Sequence, residues 1–165
     1  MLNFNLNANS FYAYMRGLAA KHKEIGPDKE GENKKHFFIG ELEDFYKGLR
    51  SVVEFPALVV EGFQVSLPSE DQSLKERESA FVVVYGYEDH KNTDQETDCF
   101  SKSEDVGLEI LRRMMQDGDE ASCSIRISNI TGVQILNETN KYAGVRFSFT
   151  LSNGNRTGID KKMWL

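Results

Sequence analysis

One acidic stretch holds the residues whose types and proximity could support metal or acid–base chemistry. It runs from Glu88 to Asp98 and contains five acidic residues, one lysine and one histidine. Asp89, His90 and Asp94 are the side chains that could hold a metal ion in a hydrolase or nuclease. Their spacing matches neither an EF-hand loop nor the H-E-x-x-H pattern. The stretch is therefore predicted to be a solvated acidic loop without a metal.

No other local pattern predicts catalysis or cofactor binding. Glycines such as Gly154 and Gly158 form neither a GxGxxG loop nor a Walker loop, and no G-x-S-x-G sequence precedes a helical pattern. Cys99 and Cys123 lie outside any C-x-x-C or Cys/His pattern, which favours two reduced thiols in a cytoplasmic setting over a disulfide or a zinc site. We therefore expect no enzyme activity and no cofactor.

The net charge of −6 argues against a general affinity for nucleic acid, whose phosphates favour clustered lysine and arginine. The charge is also uneven. Residues 1–56 are balanced, residues 57–120 hold six basic and sixteen acidic side chains, and residues 121–165 hold six basic and two acidic ones. Such separation is typical of solvated faces, and it could also orient copies head to tail in an assembly.

Length and composition predict one domain. The chain has 165 residues, of which 39% are hydrophobic and 18 are aromatic, enough for a single core. No apolar run approaches the roughly 20 residues that a membrane helix needs. Neither secretion nor membrane insertion is expected.

Helical spacing of apolar residues predicts three helices. The first runs from Ser10 to about Lys23, and the second covers Glu41 to Leu49. A charged loop at residues 24–35 separates them and is expected to be flexible. The third helix begins at a capping box formed by Ser101 and Glu104 and ends at Asp117-Gly118. Its predicted buried stripe consists of Val106, Ile110, Leu111, Met114 and Met115.

Alternation and β-branched runs predict the strands. After Pro56, Ala57 to Leu67 is expected to form a strand with a bulge at Gly62, followed by a polar connection from Pro68 to Glu78. The run from Ala80 to Tyr87 predicts a central strand that is covered on both faces. Three further features complete the pattern: two stretches from Ser122 to Leu136 bent near Thr131-Gly132, a polar connection at Asn137 to Lys141, and a strand at Val145 to Leu151 with one wet face.

This order of elements predicts an α+β fold, with a mainly antiparallel sheet of about four strands and two or three helices packed on one face. The single domain would span residues 1–165, with a helical N-terminal part at 1–50 and a C-terminal tail at 153–165. The tail ends in Met163, Trp164 and Leu165. These residues are expected either to fold back onto the core or to contact a neighbouring subunit, because aromatic anchors concentrate binding energy.

The segment from Ala57 to Leu151 carries a resemblance to a known family. A strand opens after proline in Phe55-Pro56-Ala57-Leu58-Val59-Val60, a second strand follows at Ala80 to Val84, and a helix covers Val106 to Asp117. The strand Tyr142-Ala143-Gly144-Val145-Arg146-Phe147-Ser148-Phe149-Thr150 closes the pattern. In element order and strand character, this resembles the small tail-terminator and tail-completion (neck ring) proteins of tailed phages.

The resemblance implies a structural virion protein that is assembled in the host cytoplasm. Such a protein would form a homo-oligomeric ring, possibly a hexamer or a dodecamer, at the phage neck or tail terminus, and it would link the head or connector to the tail. Its partners would be copies of itself and other neck or tail proteins, with no membrane and no specific nucleic-acid recognition. The alternative from another class is a small acidic module that binds one regulatory or host protein.

Overall fold

Six strands and two helices make up the described part of this computed structural model, which covers residues 8–28, 34–40, 52–66, 74–88, 93–120 and 125–154. In chain order the elements are α1 (Ala8–Lys21), β1 (Lys35–Ile39), β2 (Val53–Val60), β3 (Gln64–Ser66), β4 (Leu74–Gly86), α2 (Thr93–Glu120), β5 (Arg126–Asn137) and β6 (Tyr142–Gly154). The strands form one mixed sheet in the order β1-β2-β4-β6-β5, and β3 pairs with β4. β1 and β2 are parallel, and the other pairs are antiparallel.

The prediction of about four mainly antiparallel strands was therefore wrong. β1 comes from a short apolar run that carries no alternation of its own, and it is a strand because it pairs with β2. β2 begins at Val53, before Pro56. A break at Glu61–Phe63, rather than a bulge at Gly62, divides the predicted strand from Ala57 to Leu67 into β2 and a separate strand, β3. The predicted helix from Glu41 to Leu49 lies outside the described residues.

β4 is the central strand and is longer than its apolar run. Ala80 to Val84 are at most 1% exposed, which confirms the prediction that this run is covered on both faces. The mostly polar stretch from Leu74 to Glu78 belongs to the strand as well, so the prediction of a connection over these residues was wrong. They adopt strand geometry because β3 pairs with them on one side and β6 on the other.

α1 packs on the sheet through the face that the sequence predicts. Its buried residues recur at helical spacing: Phe11, Tyr14, Met15, Leu18 and Ala19. A polar contact fixes the helix against α2, because the Tyr14 hydroxyl donates to Asp117 Oδ2 at 2.8 Å. Arg113 also donates to the Asp117 carboxylate, from Nε at 3.0 Å and from Nη2 at 2.7 Å. Burial, together with this hydrogen bond, raises the pKa of Tyr14 above its usual range.

Tyr14→Phe is expected to lower the free energy of unfolding by about 2 kcal/mol, since it deletes a buried hydrogen bond to a charged acceptor. Chemical denaturation followed by circular dichroism measures this loss. Tyr87→Phe is the matched control, because Tyr87 is also buried and its hydroxyl has no hydrogen-bond partner within the described residues. An equal loss in both variants would contradict the role given to the Tyr14 contact.

α2 starts well before the predicted capping box. The acidic stretch from Thr93 to Asp98 forms the first turns of the helix rather than a loop. Asp94 and Glu96 stabilise the helix at this position because the helix N-terminus carries partial positive charge. Ser101 lies inside the helix, where its hydroxyl donates to the Thr97 carbonyl at 3.0 Å. The predicted end at Asp117-Gly118 was also early, since the helix continues to Glu120.

The stripe predicted for α2 lies against the sheet, except at its last residue. Val106, Ile110, Leu111 and Met114 are buried, whereas Met115 is 38% exposed. Gly107 allows the close approach, because a Cβ at this position would lie 2.0 Å from a ring carbon of Phe147. Within the ranges described above, neither helix is long and apolar enough to span a membrane.

β5 and β6 form the hairpin that ends the described chain. The connection after Asn137 is a turn, as predicted, and the Asn137 side chain accepts a hydrogen bond from the Asn140 amide at 2.8 Å. β5 is one continuous strand rather than two, with a shift of register between Ser128 and Thr131 that is absorbed by the left-handed backbone of Asn129. Val145, Phe147, Phe149 and Leu151 of β6 face the main core, as their alternation predicts.

Candidate functional site

The outer edge of the sheet at β5 is the most unusual surface of the described chain. None of the twelve residues of β5 is buried: eight are exposed and four are half-buried. Within the described segments, its ladder is to β6 alone. Val133 is 57% exposed and Leu136 is 42% exposed, so apolar side chains face solvent beside an edge with which no other described strand pairs.

Most sheet edges carry features that block pairing with other chains. These are lysine or proline residues, inward-pointing charges, short length or a covering segment. β5 has neither lysine nor proline, and its one charged residue is Arg126 at the start. The bulge near Asn129 interrupts its first half, whereas the stretch from Thr131 to Asn137 pairs regularly with β6. This second half is therefore the part suited to accept another strand.

The opposite edge of the sheet, at β1, is protected in a way that β5 is not. The Asp28 side chain accepts hydrogen bonds from the backbone amides of His36, at 2.8 Å, and Phe37, at 3.3 Å. Asp28 thus occupies two backbone donors of β1, at the register shift between Lys35 and Phe37. The residues from Glu24 to Asp28 were predicted to begin a flexible loop, and this contact gives the end of that segment a defined role.

A polar cleft of about 570 Å³ lies near the middle of the sheet, on the face opposite the two described helices. Its centre is a bidentate ion pair in which Arg146 Nε and Nη2 lie 2.7 and 2.6 Å from the two carboxylate oxygens of Glu61. The side chain of Glu61 is 10% exposed and that of Arg146 is 35% exposed. This face of β6 was predicted to be wet, yet Thr150 on it is buried.

Hydroxyl and amide groups connect the cleft to β5. Thr131 and Ser148 share a hydrogen bond between their hydroxyls at 2.7 Å, and Asn129 Nδ2 donates to Thr150 Oγ1 at 3.2 Å. Both carboxylate oxygens of Glu61 are engaged by Arg146, so the pair has the geometry of a cross-strand link rather than of a proton-transfer couple. The sequence analysis did not predict this ion pair. The one local signal for it is the acidic residue Glu61, which directly follows the buried residues of β2.

The candidate metal ligands are not brought together within the described chain. Asp94 is exposed in the first turn of α2, whereas Asp89 and His90 lie outside the described residues. In the ranges described above, no group of three or more His, Cys, Asp or Glu side chains could hold a metal ion. Cys99 is a free and buried thiol, and burial raises its pKa. Cys123 lies outside the described residues.

The proposed contact residues of the tail, Met163, Trp164 and Leu165, also lie outside the described residues. What the described chain offers for binding is therefore an unprotected apolar strand edge at β5 and a polar cleft beside it. The β1 edge, by contrast, is protected by the Asp28 side chain. Compared with protein-family models and with curated protein sequences, the chain matches none.

Proposed function

We propose that the chain is a structural subunit that associates with copies of itself into a ring, using the β5 edge as a contact surface. The observation that supports this proposal is that the β5 edge lacks blocking residues in its second half and also carries two exposed apolar side chains, Val133 and Leu136. An open edge of this kind is a template for pairing with another chain, and natural proteins normally block it. The protected β1 edge shows that blocking is used elsewhere in the same sheet.

The resemblance to tail-terminator and tail-completion proteins gives this assembly its proposed place. The ring would sit at the neck or tail terminus of a phage and link the head or connector to the tail. The charge distribution is compatible with such stacking, because the acidic middle of the chain and the basic last third present opposite charges to neighbours. Met163, Trp164 and Leu165 are proposed as a second contact with a neighbouring subunit.

The double variant Val133→Lys with Leu136→Lys is expected to convert the assembly into single chains of 18.8 kDa. Lysine side chains on an edge oppose pairing, because they bring charge and solvation to the contact. Analytical ultracentrifugation of the full chain measures the mass. The double variant should melt at nearly the same temperature as the unmodified chain held as a monomer by dilution.

Val65→Lys is the matched control, because Val65 is similarly exposed, at 53%, and lies on β3 rather than β5. It should leave the mass of the assembly unchanged. Dissociation by Val65→Lys to the same extent, or an assembly that survives both β5 substitutions, would remove β5 from the contact. An unmodified chain that stays monomeric and binds one unrelated protein would instead favour the acidic binding module.

A further inference from the structure

Arg77 is a buried cation for which the described residues supply no anionic partner. It lies on β4 opposite Leu151 of β6, on the helix-covered face, and is only 8% exposed. Its guanidinium carbon stands 5.5 Å from the ring centre of Phe63, and its Nη1 has no hydrogen-bond partner among the described residues. Within the described segments, no carboxylate forms an ion pair with it. A cation–π contact alone supplies no acceptor for the buried N–H groups.

Two other arginines of the described chain, the half-buried Arg146 and the exposed Arg113, are paired with carboxylates. Arg146 binds Glu61 through two hydrogen bonds, and Arg113 binds Asp117 in the same bidentate way. Burying an unpaired guanidinium is costly, which is why such groups are normally paired with an anion. Arg77 is therefore best understood as part of a site whose anion comes from outside the described chain.

Two neighbouring groups make this a site rather than a single side chain. Lys75 lies two residues before Arg77, so both point to the same face of β4. Asn153 is directly opposite Lys75 on β6, and its Oδ1 is buried with no hydrogen-bond partner in the part of the chain that the structure describes. The oxygen and nitrogen of an asparagine amide are assigned from their hydrogen bonds. Turned by half a rotation, the Asn153 amide would present its two N–H donors to an anion.

Electrostatics agree with this placement. Burial lowers the pKa of Arg77, and burial followed by repulsion from Arg77 lowers the pKa of Lys75. Two cations on one strand face repel each other unless an anion lies between them. An oxygen-bearing anion fits, because guanidinium donates two parallel hydrogen bonds to it and an ammonium adds a third.

We propose that Arg77, Lys75 and Asn153 form a binding site for an oxyanion, either a phosphate group or a carboxylate. The site lies at the end of the β4–β6 ladder, where Leu74 pairs with Gly154 next to the Lys75–Asn153 pair. It is independent of the proposed ring, since it uses neither β5 nor the cleft. The ligand is either a free phosphate or the carboxylate of another polypeptide, and the same three donors serve both.

Isothermal titration of the full chain with inorganic phosphate and, separately, with acetate tests the site at constant ionic strength set by chloride. Saturable binding of one ion per chain is expected for at least one of the two. Stronger binding of phosphate identifies a phosphate site, and stronger binding of acetate identifies a carboxylate site. Absence of saturable binding for both ions would overturn the proposal.

Arg77→Gln should weaken the affinity for the bound ion at least tenfold, and Lys75→Gln should weaken it by a smaller factor. Arg126→Gln is the matched control, because Arg126 is an exposed arginine on the same sheet and should bind the ion as the unmodified chain does. Arg77→Lys keeps a charge at the position and covers the case in which Arg77→Gln fails to fold. Unchanged affinity in Arg77→Gln, or in both Arg77→Lys and Lys75→Gln, would overturn the assignment.

Discussion

Gly144→Ala is expected to destabilise the chain by about 3 kcal/mol, a large share of the 5–15 kcal/mol that a domain of ordinary stability has. A Cβ at Gly144 would stand 2.0 Å from the carbonyl oxygen of Val83 and 3.0 Å from the Cα of Val84. Both atoms belong to the backbone of β4, so no side-chain rotation can relieve the contact. β4 and β6 would have to separate at the centre of the sheet.

Urea denaturation followed by circular dichroism measures this effect. Ser148→Ala is the matched control, because Ser148 lies on the same strand, is half-buried and pairs with Ala80. Its midpoint should shift far less than that of Gly144→Ala. A midpoint for Gly144→Ala within error of the unmodified chain would contradict the packing described for β4 and β6.

Arg146→Ala is expected to cost about 2–4 kcal/mol of unfolding free energy. Loss of one partner of a buried ion pair typically costs about 3–5 kcal/mol, and the lower range applies because Arg146 is about one-third exposed. The loss arises from Glu61, whose carboxylate would stay buried without its two guanidinium donors. Glu61→Gln in the Arg146→Ala background removes that charge and should recover part of the stability.

Arg126→Ala is the control for this series. Arg126 is an exposed arginine on the adjacent strand, and substitutions at such positions usually change stability by about 0.5 kcal/mol or less. Equal losses for Arg146→Ala and Arg126→Ala would show that the Glu61 pair contributes nothing beyond a surface charge. So would a double variant that is less stable than Arg146→Ala alone.

Elements with strong periodicity could be predicted from the sequence, and elements defined by their partners could not. The apolar spacing of α1 and the alternation from Val145 to Leu151 each identify a buried face without reference to any other segment. β1, β3 and the polar half of β4 are strands because a neighbour pairs with them. Pairing between distant segments leaves no local signal, so β1 and the polar half of β4 were not predicted as strands, whereas β3 was predicted as part of one strand from Ala57 to Leu67.

The start of α2 illustrates a second limit. Acidic residues in sequence are equally typical of a solvated loop and of a helix N-terminus, where their charge is favourable. The buried thiol of Cys99, which lies 3.8 Å from the Gly86 carbonyl oxygen, belongs to a packed first part of the helix. Composition alone favoured a loop for this segment, whereas in the structure it is helical and packs against the rest of the domain.

The candidate surfaces could be predicted least of all. Glu61 and Arg146 are 85 positions apart in sequence, and Arg77 lay in a segment predicted to be a connection. The exposed edge of β5 follows from the order of strands in the sheet, which a single sequence does not fix. The alternation of β5 does predict a strand, but it cannot show whether one neighbour or two will pair with it.

Amide hydrogen exchange of β5 tests the proposed contact most directly, because pairing with a neighbouring copy protects its outward-facing amides. The full chain would be measured at high concentration, where the proposed assembly would form, and after dilution. The account predicts slow exchange from Thr131 to Asn137 at high concentration and faster exchange after dilution, with β4 unchanged. Equal exchange of β5 at both concentrations, in a chain whose mass does change, would contradict it.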